Sequence, residues 1–96
     1  MTERLRIATF NLENLDDKPH EEPSLQERIP LMRPQLTRLA ADVLCLQEVH
    51  GQKEDDEPRR LLALEQLLEG TPYAAYHVAH TKTQGCEAYE VRNLVV

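Results

Sequence analysis

The chain has 96 residues, of which 41% are hydrophobic and 29% charged, with a formal net charge of -6. This length fits one small domain, and the composition is that of an ordinary globular protein. No apolar run reaches the roughly 20 residues that a helix needs to cross a bilayer, and Met1–Arg4 shows no signal-peptide pattern. Two cysteines are too few for a disulfide-rich scaffold, so we expect a cytoplasmic, reducing location.

The first part of the chain predicts a strand, a loop and a helix. Leu5–Phe10 is a short apolar-rich run that ends in Asn11, and it predicts the first strand. Asp16–Pro23 is charged and contains two prolines, as loops do. Ser24 followed by Glu27 forms a capping box, so a helix should begin there. Its apolar residues recur at steps of three and four, as on one helix face: Leu25, Ile29, Met32, Leu36, Leu39 and Val43.

Two prolines interrupt this helix before a second strand begins. Because Pro30 and Pro34 each remove a backbone hydrogen bond, we expect a kink or two helical pieces. Val43–Val49 begins as a continuous apolar run, which suits a central strand that is covered on both faces. The three elements together predict a strand–helix–strand unit.

The second half of the chain predicts one more helix and two more strands. Gly51–Glu57 is an acidic loop, and Pro58 suits the first turn of a helix that ends at Gly70. The buried stripe of this helix consists of Leu61, Leu64 and Leu68. Tyr73–His80 predicts a third strand, and Val91–Val96 predicts the opening of a fourth.

Polar side chains follow the first two predicted strands at the point where each strand ends. A parallel strand–helix–strand unit brings the carboxyl ends of both strands to one rim, so Asn11 and Glu48 should lie where open α/β sheets bind ligands. A carboxylate directly after an apolar strand is costly unless it is paired or bound to a metal. Glu13 is a third candidate for the same rim. The plain alternatives stay open: a turn residue for Asn11, and solvated carboxylates for Glu48 and Glu13.

Two motifs resemble those of a known superfamily. Arg6–Leu15 resembles the opening motif of the endonuclease/exonuclease/phosphatase superfamily, which has the DNase-I-like fold. Ala41–Val49, with its aspartate, apolar strand and Gln-Glu pair, resembles the second motif. The resemblance implies an α/β chain, the strand-helix-strand-helix-strand N-terminal portion of a four-layer α/β sandwich. Residues 1–96 would then be an incomplete domain whose remainder follows Val96.

The resemblance also implies a metal site. The glutamate of the Gln-Glu pair, the principal magnesium ligand of the family, corresponds to Glu48. The asparagine that supports the metal and the phosphate corresponds to Asn11, and an acidic residue found two positions later in some members corresponds to Glu13. Mg²⁺, or Mn²⁺ in its place, suits such oxygen ligands and offsets the charge that develops on phosphorus. A bound cation also supplies the positive charge that this acidic chain lacks. The implied substrates are phosphate esters, with nucleic acid among them.

The chain departs from the family by lacking two later segments, Asp-x-Asn and Ser-Asp-His, which supply the base that activates water and a histidine that contacts phosphate. None of its own histidines follows an aspartate. His20 and His50 lie in predicted loops, and we interpret His77 and His80, on opposite faces of the predicted third strand, as structural or solvated. The leading hypothesis is therefore a catalytically incomplete part of a magnesium-dependent nuclease. Two alternatives stay open: a phospholipid or inositol-phosphate phosphatase of the same fold, and a small α/β binding module without catalysis.

Overall fold

A three-stranded sheet and two helices give the chain a mixed α/β architecture. The computed structural model describes residues 4–96. The expectation that Met1–Arg4 has no signal-peptide pattern therefore lies almost wholly outside the described residues. The elements are, in chain order, β1 (Ile7–Leu15), α1 (Leu25–Leu39), β2 (Val43–Val49), α2 (Leu62–Leu68), a 3₁₀ helix (Pro72–Ala75) and β3 (Asn93–Val95). None of the helices in this described part of the chain is long and apolar enough to cross a membrane.

The sheet has the order β1-β2-β3, with β1 parallel to β2 and β3 antiparallel to it. β2 is therefore the central strand, as predicted. In the register, Phe10 pairs with Leu46, and Leu46 pairs with Val95. Because paired residues point to the same face of a sheet, these side chains share the face that packs against the helices. The core on this face includes Leu25 and Leu36 of α1.

The opposite face of the sheet is only partly covered by residues 4–96. Ile7 and Leu94, which alternate with the core-facing positions of β1 and β3, are 61% and 54% exposed. Cys45 on β2 is half-buried. β2 is therefore covered on the face toward the helices and only partly covered on the other face. The expectation of cover on both faces is met on the first face alone.

Helix α1 begins as the capping box predicts and continues past both prolines. The Ser24 hydroxyl oxygen accepts a hydrogen bond of 3.2 Å from the backbone N–H of Glu27. Pro30 and Pro34 lie four residues apart and both are exposed, so the carbonyl groups that they leave unpaired can bind water. Of the two outcomes expected at the prolines, two separate helical pieces is wrong, because α1 is one continuous helix, and a kink stays a prediction.

Helix α2 begins later than the sequence predicts. We expected it to start at Pro58, whereas it starts at Leu62, and the acidic residues 55–57 lie outside its first turn. Its first turn is instead stabilised by Gln52, whose side-chain oxygen accepts a 2.7 Å hydrogen bond from the N–H of Ala63. A loop residue that is distant in sequence supplies this partner, so the local pattern could not identify it.

The strand predicted at Tyr73–His80 is wrong, because its first residues form the 3₁₀ helix. Thr71 begins this helix: its hydroxyl oxygen accepts a 3.2 Å hydrogen bond from the N–H of Tyr73. Only the end of the segment pairs like a strand. There Ala79 exchanges two backbone hydrogen bonds, of 2.8 and 2.7 Å, with Val96. These bonds cover the outer edge of β3.

Candidate functional site

The ladder between β1 and β2 is interrupted where the sequence places the candidate residues. Asn11 pairs with Gln47, and the next pair joins Leu15 to Val49. Three residues of β1, at positions 12–14, therefore lie opposite a single residue of β2, Glu48. β1 also continues to Leu15, so the prediction that the first strand ends at Asn11 is wrong. A bulge of this kind redirects side chains and is common beside functional sites.

The backbone of this bulge has an unusual conformation. The φ angles of Glu13, Asn14 and Glu48 are 48°, 57° and 59°, in the left-handed region that costs about 1–2 kcal/mol for a residue with a side chain. Leu12 and Leu15 on either side are fully buried. The bulge is thus anchored by two core leucines, and residues 13 and 14 protrude between them. Such strain persists only where surrounding contacts maintain it.

Asn11 is one of the groups that maintain the bulge. Its side-chain oxygen accepts a hydrogen bond of 2.7 Å from the backbone N–H of Glu13. Within residues 4–96 the amide nitrogen of Asn11 has no hydrogen-bond partner, and its oxygen keeps a second lone pair, so both atoms can contact a bound molecule. Asn11 therefore helps to fix the position of Glu13. Its register partner on β2 is Gln47, the residue before Glu48.

Arg28 on α1 contacts the bulge from the helix side. Its Nη2 donates to the carbonyl oxygen of Leu12, and its Nη1 donates at 3.4 Å to the carbonyl oxygen of Asn14. This residue could not be identified from the sequence. An arginine on a helix carries no local pattern that indicates a hydrogen bond to the backbone of an earlier strand.

A buried aspartate–histidine pair joins the chain just after β1 to the chain just after β2. Asp16 and His50 are 6% and 7% exposed, and Oδ2 of the aspartate lies 3.1 Å from Nδ1 of the histidine. Nε2 of His50 lies 3.2 Å from the side-chain oxygen of Asn14 in the bulge. The backbone N–H of His50 also donates to the carbonyl oxygen of Leu15 at 2.9 Å. His50 is thus structural, whereas the sequence placed it only in a loop.

The charge of Asp16 is stabilised by its partners. Burial raises the pKa of this carboxyl, but hydrogen bonds from the Gln52 side chain, the Asp17 backbone N–H and His50 outweigh burial and hold the pKa below its usual value. The Gln52 side-chain nitrogen donates to Oδ1 at 3.0 Å. Because Gln52 also receives the hydrogen bond that begins α2, one network links both strand ends to that helix. The sequence offered one signal for this pair: Asp16 and His50 are the residues that directly follow the two motifs.

The donor chemistry of the three candidates fits Mg²⁺. Glu48 is half-buried, and within residues 4–96 its carboxylate has no hydrogen-bond or ion-pair partner. Mg²⁺ is often held by one or two carboxylates and keeps several waters. Asn11 and Glu13 line a shallow depression of about 360 Å³ between β1 and α1, and Glu48 lies outside it. Among the described residues no three Asp, Glu, His or Cys side chains converge as a ready-made metal site.

The comparisons with known proteins identify no relative. No family model matches the chain, and no curated protein or solved structure is significantly similar to it.

Proposed function

We propose that the chain is the metal-binding part of a magnesium-dependent phosphoesterase of the endonuclease/exonuclease/phosphatase superfamily, and that its substrate is a phosphodiester such as nucleic acid. The observation that carries the proposal is the position of Glu48. This carboxylate, which has no partner within residues 4–96, lies opposite the β1 bulge that contains Glu13. Glu48 directly follows Gln47, the register partner of Asn11. The two motifs that resemble the superfamily thus meet at one point of the ladder.

In this proposal Glu48 is the principal ligand of Mg²⁺, and Glu13 is a second carboxylate in reach of the same region. The Asn11 side chain orients Glu13 through its oxygen, and its amide nitrogen donates to a phosphate oxygen of the substrate. Bound Mg²⁺ would polarise the phosphate and offset the negative charge that develops on it. The buried pair of Asp16 and His50 keeps the two strand ends together.

The exposed sheet face supports the larger fold that the proposal requires. Ile7 and Leu94 are apolar, largely exposed and on the face opposite the helices. In a four-layer sandwich a second sheet covers that face. The proposal places the base that activates water and the phosphate-binding histidine in Asp-x-Asn and Ser-Asp-His segments outside these 96 residues. Both cysteines are free thiols, and the exposed Cys86 supports a reducing, cytoplasmic location.

Calorimetric titration of the purified chain with Mg²⁺, repeated with Mn²⁺, tests the metal site directly. We expect one site in the wild-type chain and an affinity at least about tenfold weaker in Glu48→Gln, because the amide lacks the charge of a carboxylate. Glu69→Gln is the matched control, since Glu69 is an exposed glutamate beyond α2. Absence of binding by the wild-type chain, or equal binding by Glu48→Gln, would overturn the proposal.

A further inference from the structure

We infer that Arg28 is a positioning residue that holds the β1 bulge in the shape presenting Glu13 to the metal. The inference rests on the proposed function, and it adds a residue of α1 that neither motif contains. Within residues 4–96 the guanidinium of Arg28 donates its hydrogen bonds to backbone oxygens of the bulge, so it acts through Glu13 and Asn14 rather than on a substrate.

The two carbonyl groups that Arg28 contacts enclose the protruding part of the bulge. Leu12 precedes Glu13, and Asn14 follows it. Both carbonyls lie where three residues of β1 face one residue of β2, so the regular ladder does not provide each of them with a partner. Leu12 is buried, and a buried carbonyl without a partner is unfavourable, whereas the contact with the Asn14 carbonyl lies at the surface. The half-buried guanidinium supplies a donor to each of them. The planar fork of arginine suits two acceptors, which the single ammonium of lysine cannot match.

The bulge would change shape without this contact. Glu13 has a left-handed φ angle that glutamate rarely adopts, while asparagine tolerates that region better, as at Asn14. The Asn11 side chain holds only the N–H of Glu13. With the carbonyls of Leu12 and Asn14 free, this part of β1 can relax toward extended backbone. Because successive side chains of an extended strand point to opposite faces, relaxation would redirect the carboxylate of Glu13.

Arg33 provides an internal comparison. It lies on the same helix and also donates to two backbone carbonyls, at 3.0 Å to Leu67 and 2.7 Å to Gln66, at the carboxyl end of α2. It makes the same kind of contact at a place remote from the bulge. Substituting Arg33 therefore removes the same kind of contact between a helix side chain and a backbone carbonyl. A change in the metal site is expected only when Arg28 is substituted.

The test measures Mg²⁺ affinity and thermal stability of the purified chain for Arg28→Lys, Arg28→Gln and Arg33→Lys. We expect both Arg28 variants to bind Mg²⁺ about tenfold more weakly than wild type, as is typical when a group that orients a metal ligand is lost. We expect Arg33→Lys to lower the melting temperature without changing the affinity. Wild-type affinity in both Arg28 variants, with weakened binding in Glu48→Gln, would overturn the inference and leave the proposed function intact.

A metal-free measurement separates the two proposals. Hydrogen exchange followed by NMR reports the amide of Glu13, which is protected by its bond to Asn11. This amide should exchange about tenfold faster in Arg28→Lys than in wild type, and Arg33→Lys should leave its rate unchanged. Unchanged exchange in Arg28→Lys would show that Arg28 does not hold the bulge, whether or not the chain binds Mg²⁺.

Discussion

Asp16 and His50, 34 positions apart in the chain, form a buried hydrogen bond of 3.1 Å between Oδ2 and Nδ1. The bond joins the residue after β1 to the residue after β2, and His50 continues it to Asn14 in the bulge. It therefore fixes the relative positions of the two strand ends next to which Glu13 and Glu48 lie. The stability of this pair and the geometry of the candidate metal site should depend on each other.

Asp16 should make the chain sensitive to acid. Its pKa is lower in the folded state than in the unfolded chain, so its charged form adds stability above the ordinary aspartate pKa, and that stability is lost as the pH falls through the lowered value. Asp16→Asn should therefore lower the free energy of unfolding by about 1–3 kcal/mol near neutral pH and by much less once the pH has fallen below the lowered pKa. Urea unfolding across this pH range measures the effect.

The matched control for Asp16 is its neighbour Asp17, which is exposed. Asp17→Asn should change the free energy of unfolding by no more than about 0.5 kcal/mol at any pH. Equal pH dependence in wild type and Asp16→Asn would show that the aspartate–histidine pair does not contribute to stability.

Glu48→Gln should lower the catalytic rate by orders of magnitude in the protein with a complete catalytic set, while its fold survives. The physical reason is the loss of a charged metal ligand from a residue with no structural hydrogen-bond partner in residues 4–96. Steady-state rates measured against Mg²⁺ concentration, with circular dichroism of both proteins, check this. An unchanged Mg²⁺ dependence in the variant would remove Glu48 from the metal site.

The isolated 96-residue chain should show no phosphodiesterase activity above background. A metal site stabilises charge, but attack by water also requires a base and cationic contacts to the phosphate. The buried His50 has oxygen atoms near both ring nitrogens and is not available for that role. Hydrolysis of a fluorogenic phosphodiester measures this. Turnover that a chelator and Glu48→Gln both abolish would contradict the prediction.

The sequence predicted the features that depend on neighbouring residues. Ser24 and Glu27 lie three positions apart, and their capping box forms as expected. The strand–helix–strand–helix order of the first four elements and the meeting of Asn11 with the Gln-Glu pair followed from periodicity and from strand–helix–strand geometry. Arg28 and His50 escaped prediction because their partners lie 14 or more positions away, and only the folded chain brings them together.

Tyr73 shows why the predicted third strand failed and provides a further test. Its buried hydroxyl donates to the carbonyl oxygen of Leu36 at 2.7 Å and accepts from the N–H of Ala41 at 3.0 Å. Tyr73→Phe leaves both backbone groups without a partner and should lower the free energy of unfolding by about 1–3 kcal/mol. Tyr76 is the matched control, because it is 40% exposed and its hydroxyl makes one such bond, to the carbonyl oxygen of Ala41. Chemical denaturation should show a smaller loss for Tyr76→Phe; equal losses would contradict the assignment.

The face of the sheet that carries Ile7 and Leu94 should bind an apolar fluorescent dye in the isolated chain. Both side chains are more than half exposed on the face opposite the helices, and clustered apolar surface of this kind attracts apolar ligands and other chains. The double substitution Ile7→Thr and Leu94→Thr should reduce dye binding and association, and threonine should preserve the strands because it has a high β-propensity.

Val91→Thr is the control, since Val91 is similarly exposed at 53% but lies outside the sheet. Dye fluorescence and sedimentation, with circular dichroism to verify folding, measure the outcome. A double variant that binds dye as strongly as wild type would show that this face is not the apolar surface that a second sheet would cover.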